Sequence, residues 1–85
     1  MKISYAPVFI RQYNKLDGEL QNEIVEKIEL FRKKENHKLL RVHKLKGNLL
    51  GSFSFSVNYR FRIIFEYLSK NEAVLLLVGD HEIYS

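Results

Sequence analysis

Cysteine and tryptophan are absent from the 85 residues, and the chain holds one proline and four glycines. Without cysteine there are no disulfides and no thiolate metal sites. A small secreted domain without such staples is unusual, so the expected location is cytoplasmic. Long apolar runs are missing too. The longest, Ala73–Val78, falls far short of the ~20 residues that a bilayer span needs. Met1–Lys2–Ile3–Ser4–Tyr5 lacks the apolar core of a signal peptide, and no membrane role is expected. Internal repeats, low-complexity tracts and linkers are likewise lacking. What is present suits a folded chain: 46% of residues are hydrophobic and 13% aromatic, whereas chains that stay disordered are poor in both. A single domain over residues 1–85 is expected, in which nearly every element serves one core.

The formal net charge of +4 is unevenly placed. Residues 32–62 carry nine Lys or Arg against Glu35 alone, while the flanking thirds are net acidic. Concentrated positive charge in a small protein suits a polyanion. It also suits a solvated lysine-rich loop, and composition leaves both open.

Lys2–Tyr5 is partly β-branched and precedes Pro7, which implies a short strand and then a helix starting at the proline. Phe9, Tyr13 and Leu16 fall at i, i+4 and i+7, giving a first helix over about 7–16. Asp17–Gly18 breaks it, and Asp17 can cap the next helix. Leu20, Ile24, Ile28 and Phe31 continue the period, so the second helix is expected over about 19–34. From Glu35 to Leu50 the chain is basic and aperiodic. The period then becomes two: Phe53, Phe55, Val57, Tyr59, Phe61, Ile63, Phe65 and Tyr67 alternate with mostly polar residues. Turns at Asn58 and at Ser69–Glu72 divide this stretch and the next into antiparallel strands. The expected fold is α+β, an N-terminal strand and a two-helix hairpin packed on one face of an antiparallel sheet of about four strands.

The other face is left free. A Val57–Tyr59 loop sets Ser56 opposite Arg60 and Ser54 opposite Arg62. The next turn sets Arg62 opposite Gly79, Arg60 opposite His81, Phe65 opposite Leu76 and Tyr67 opposite Val74. Ser54, Ser56, Arg60, Arg62 and His81 then gather around a space fit for one small anion. A histidine beside two arginines can exchange protons near neutral pH. Each residue taken alone suits a plain solvent-facing position better, and it is their convergence on one face that points to a site. Ile64, Leu75 and Leu77 fall on the same face, an apolar patch that suggests a protein partner. Metal is a poor fit, since His37, His43 and His81 have no ligand-like spacing, and no cofactor is implied.

Two stretches carry a resemblance. One is His43–Lys44–Leu45–Lys46–Gly47 before an aromatic-serine strand. The other is Tyr59–Arg60–Phe61–Arg62–Ile63–Ile64–Phe65 followed by Val78–Gly79–Asp80–His81–Glu82–Ile83–Tyr84. With the helical hairpin before them, they resemble the RelE/ParE toxin superfamily, nearer its RelE-type mRNA interferases, over essentially the whole chain. Phe53 stands where such strands often carry tryptophan.

The resemblance implies a toxin of a type II toxin–antitoxin pair, held by a cognate antitoxin. It implies entry into the ribosomal A site and metal-independent cleavage of mRNA by attack of a ribose 2′-hydroxyl. Arg62 then matches the family's phosphate clamp, His81 the general acid and His43 a candidate base. Lys44, Lys46 and Arg60 would add phosphate contacts, and Tyr84 would stack on or orient the RNA. Lys38 and Arg41 belong to the same basic segment, which is expected to lie along RNA backbone. The superfamily also contains ParE-type gyrase inhibitors, which are not nucleases. That alternative, and a non-catalytic nucleic-acid-binding domain, stay open on the sequence.

Overall fold

The computed structural model describes residues 1–80 and Ile83. Strand β1 spans Lys2–Tyr5 and helix α1 spans Pro7–Asn14, opened by its proline. Helix α2 spans Gly18–Phe31. Its Asp17 cap is as expected, the carboxylate accepting from the Leu20 N–H at 2.9 Å. Both helices stop short of the expected ends. Beyond α2, Lys33 turns extended at φ −103°, ψ 120°. The chain can then double back and stack His37 on Phe31, ring centroids 4.7 Å apart. The His37 Nε2–H donates to the Phe31 carbonyl at 2.8 Å, so this histidine anchors a turn.

Among the described residues the sheet has five strands, in the order β1-β5-β4-β3-β2. Strand β2 is His43–Lys44, β3 is Phe53–Ser56, β4 is Arg62–Ser69 and β5 is Glu72–Gly79. The α+β fold is as expected, and the sheet of about four strands gains the short strand β2. Strand β2 sits in the aperiodic basic segment, and two residues are too few to show alternation. The sheet is also mixed, since β1 pairs parallel with β5 while all other pairs are antiparallel. Where β1 ends, Gln12 of α1 takes over the edge: its side-chain oxygen accepts from the Val78 N–H at 2.8 Å.

Two registers differ from expectation. Ser56 pairs with Arg62 and Ser54 with Ile64, so the β3–β4 loop runs over residues 57–61 rather than 57–59. Asn58 provides the reason. Its side-chain oxygen accepts from the Arg60 and Phe61 N–H groups, both at 2.8 Å, an Asx turn that needs the longer loop. In the β4–β5 hairpin, Arg62, Ile63 and Ile64 face Gly79, Val78 and Leu77 as expected. Leu76 is then skipped, so Phe65 faces Leu75 and Tyr67 faces Ala73. Leu68 is skipped on the other strand, and Ser69 faces Glu72. These two bulges cancel: the hairpin ends are in the expected register and its middle is displaced by one.

The displacement changes which residues are inside. Leu75 is fully buried in the core with Ala73 and Val78; it does not lie on the free face. Ile64 does point to that face but is only 1% exposed. The expected apolar patch of Ile64, Leu75 and Leu77 therefore does not exist as an exposed surface. The core is built from Phe9, Ile24, Ile28 and Phe31 of the helices against Phe55, Ile63, Phe65 and Leu75 of the sheet. Phe31 lies at its centre, stacked on Phe55 at 4.4 Å and edge-on to Phe65 at 4.7 Å. Tyr67 packs against this cluster, and burial pushes its phenol up.

Candidate functional site: a cationic pocket on the sheet face

The basic segment is fixed to the sheet rather than free in solvent. Leu40 is buried in the core, and its carbonyl accepts from the Ser56 N–H at 2.8 Å. Residues 37–42 form a closed turn. The Val42 N–H donates to the His37 carbonyl at 3.0 Å and the Arg41 N–H to the Lys38 carbonyl at 3.1 Å. This is the Schellman pattern, whose penultimate residue must be left-handed and is usually glycine. Here it is Arg41, at φ 59°. A left-handed non-glycine residue costs roughly 1–2 kcal/mol, so the arginine is kept at this position against a steric cost.

The turn brings Arg41 beside Ser56 and its cross-strand partner Arg62. Together with Asn58 and Tyr59 they line a pocket of about 260 Å³. Arg62 is half-buried. Its Nη1 donates to the carbonyls of Asn58 at 2.6 Å, Phe61 at 3.0 Å and Tyr59 at 3.3 Å. One nitrogen of the guanidinium thus staples the 57–61 loop, and the rest of the group remains for a ligand. Two permanently charged forks and a hydroxyl around one cavity suit a phosphate.

His43 stands in the next row of the same face. It pairs with Ser54 in β2–β3, two residues along the strand from Ser56, so the rows are about 7 Å apart. Its Nδ1 lies 2.8 Å from the Arg41 carbonyl. A carbonyl can only accept, so Nδ1 carries the proton and the neutral ring keeps its lone pair on Nε2. That tautomer is the one a general base at Nε2 requires. Arg41 therefore supplies a charge to the pocket from its side chain and a hydrogen-bond acceptor to the histidine from its backbone carbonyl.

Not all expected site residues converge. Arg60 does not line the pocket; its guanidinium lies over the Phe61 ring, 5.7 Å from the centre. Ser54 is fully buried. Lys38, Lys44 and Lys46 are exposed along the basic segment, and none of them lines the pocket. His81 and Tyr84 lie outside the described residues, as does the expected Arg60–His81 pairing. Ile83 is described. Its N–H donates to the Asp80 carbonyl at 3.2 Å, and its side chain lies over Gly79, where any Cβ would overlap it. Ile83 thus lies over the residue paired with Arg62.

Tyr59 shares the apolar alternation in the sequence but falls in the β3–β4 loop at the pocket rim, 94% exposed. The Asx turn breaks the alternation there. Asn58 followed by an aromatic was the available sequence signal.

No protein-family model matches the chain, and no curated protein does. Solved structures do match. YafQ from E. coli superimposes with a TM-score of 0.78 at 14% identity, covering 96% of this chain and 94% of that one. The YoeB/ParE toxin from Agrobacterium tumefaciens gives 0.76 at 16% identity, covering 95% and 99%. A chain of the toxin–antitoxin complex RelBE2 from Mycobacterium tuberculosis gives 0.72 at 20% identity, covering 94% and 96%. Helices, mixed sheet and strand order together give this chain the fold of the RelE/ParE-type toxins.

Proposed function

We propose that the chain is the toxin of a type II toxin–antitoxin pair and acts as a metal-independent endoribonuclease on mRNA in the ribosomal A site. The observation that carries this reading is the pairing of an Arg41–Ser56–Arg62 pocket with a histidine whose Nε2 is free to take a proton. In the proposed step His43 Nε2 removes the proton of a ribose 2′-hydroxyl. The 2′-oxygen bonds to the adjacent phosphorus, and the bond from phosphorus to the 5′-oxygen breaks. Arg62 and Arg41 stabilise the extra negative charge on the five-coordinate phosphorus. The leaving 5′-oxygen takes its proton from His81 acting as acid. The products are a 2′,3′-cyclic phosphate and a 5′-hydroxyl. Arg60, Lys38, Lys44 and Lys46 hold RNA backbone outside the pocket, and Tyr84 orients the strand.

The antitoxin is the second proposed partner. With the sheet-face trio removed from the exposed surface, the apolar ground for it lies on the helix side. Tyr5, Ile10, Tyr13 and Val25 border a groove of about 200 Å³ floored by Phe9 and Ile28, suited to apolar side chains of a partner segment.

Primer extension on a reporter mRNA after induction of the chain tests the nuclease reading. Discrete stops, with fragments bearing 5′-hydroxyl ends and absent from His43→Ala and Arg62→Ala, are expected. Intact mRNA together with gyrase-dependent DNA damage would replace it with the gyrase-inhibitor reading.

A further inference from the structure

We infer that Tyr59 is a nucleobase-stacking residue, forming a subsite for the base next to the phosphate held between Arg41 and Arg62. Tyr59 is the most exposed large hydrophobic side chain among the described residues, at 94%. It adds almost nothing to the core, so folding does not account for an aromatic at this place. The loop that carries it is nevertheless held firmly. Asn58 closes the Asx turn beneath it and donates from Nδ2 to Glu23 of α2 at 2.6 Å. The Val57 N–H donates to the Phe61 carbonyl at 2.9 Å, and Arg62 Nη1 reaches the carbonyl of Tyr59 itself. An apolar ring is thus displayed to solvent on a braced support, which keeps the entropy cost of binding low.

Its surroundings select the ligand. The pocket that Tyr59 rims holds two arginines and a serine hydroxyl, and among the described residues no acidic side chain lines it. A planar π-face beside a phosphate-sized cationic cavity matches one nucleotide of a single strand, base on ring and phosphate on guanidinium. An acidic peptide would meet the charge but has no planar group that requires the tyrosine face. Stacking tolerates every base, so this subsite would position the strand with little sequence preference. The inference rests on the RNA reading above and adds the base contact that the two arginines cannot provide.

The test uses a hexaribonucleotide with 2′-O-methyl groups throughout, which binds but cannot be cut, and a matched oligomer without bases. The full-length protein carries 3-fluorotyrosine, with the Tyr59 resonance assigned from Tyr59→Phe. Saturable binding with an upfield ring-current shift at Tyr59 is expected with the base-bearing oligomer and not with the abasic one. Tyr59→Ala should weaken binding of the base-bearing oligomer about tenfold or more, and Tyr59→Phe should bind within about twofold of wild type. On the abasic oligomer Tyr59→Ala should have no effect. An absence of saturable binding, an unchanged affinity in Tyr59→Ala, or the same loss on both oligomers would overturn the inference. A Tyr59→Ala protein that binds RNA normally but no longer retains its protein partner would assign the ring to that interface and also overturn it. Cleavage is scored separately. A stacked Tyr59 in a protein that cuts no mRNA removes the nuclease reading alone, and cleavage without a Tyr59 shift removes the subsite alone.

Discussion

Arg41 is a residue whose backbone and side chain favour different amino acids. The Schellman turn favours glycine at φ 59°, while the pocket needs a cation. Arg41→Gly should therefore raise stability by up to about 1 kcal/mol, the relief of left-handed strain less the greater unfolded-state freedom of glycine. Single-turnover cleavage should fall by about 10²-fold. Urea unfolding and cleavage assays on the same preparation check both signs. Arg62 presents the opposite case. A strand arginine on a free face would be expected to contribute nothing to folding, yet its Nη1 holds three loop carbonyls. Charged hydrogen bonds of this kind are worth more than neutral ones, so Arg62→Ala should cost about 1–2 kcal/mol in urea unfolding as well as roughly 10²–10³ in rate. A lost activity in that variant should be interpreted only beside its melting curve. The type of each residue was legible in the sequence. Their load was not, because a left-handed φ and a loop staple leave no trace in composition or period.

At the scale of elements, the β4–β5 hairpin separates what alternation can and cannot predict. The turn at Ser69–Glu72 and the pairing at the far end follow from the sequence pattern. The paired bulges at Leu76 and Leu68 do not, since a run of leucines and valines over 74–78 reads the same in either register. Strict alternation puts Leu76 inside and Leu75 outside; the bulge reverses them. Leu75→Ala should therefore cost about 2–5 kcal/mol and Leu76→Ala about 1 kcal/mol or less, measured by denaturant midpoints at constant m-value. Helix α2 shows the same limit at its end. Its apolar period runs to Phe31 and its capping aspartate was legible, but the stop came from His37 stacking back on Phe31, a contact that no local propensity contains. Strand β2 was hidden because two residues carry no period.

For the whole molecule, the surplus of positive charge and the fold have to be considered together. Most of the charge concentrated in residues 32–62 lies on a segment clamped to the sheet edge at Leu40 and His43, so its lysines are held beside the sheet instead of trailing in solvent. Lys38→Gln, Arg41→Asn, Lys44→Gln and Lys46→Gln combined should weaken ribosome binding and make its dependence on log salt shallower by up to about 3; asparagine at 41 tolerates the left-handed backbone. Filter binding across a salt series checks this. The pairing of β1 with β5 carries a different consequence, in time. These strands come from opposite ends of the described chain, and the core residues Ala73, Leu75 and Val78 are in the last of them. Contacts between such distant segments come at a high loop-closure cost and form late. While the chain is being made, β5 is still inside the ribosome when β1 and both helices have emerged. The pocket row Ser56–Arg62–Gly79 cannot be completed until that strand is free. Nascent chains stalled with β5 still sequestered should be cut rapidly by pulse proteolysis, and released chains should resist it. Whatever the pocket binds, it cannot be bound there before β5 has joined the sheet.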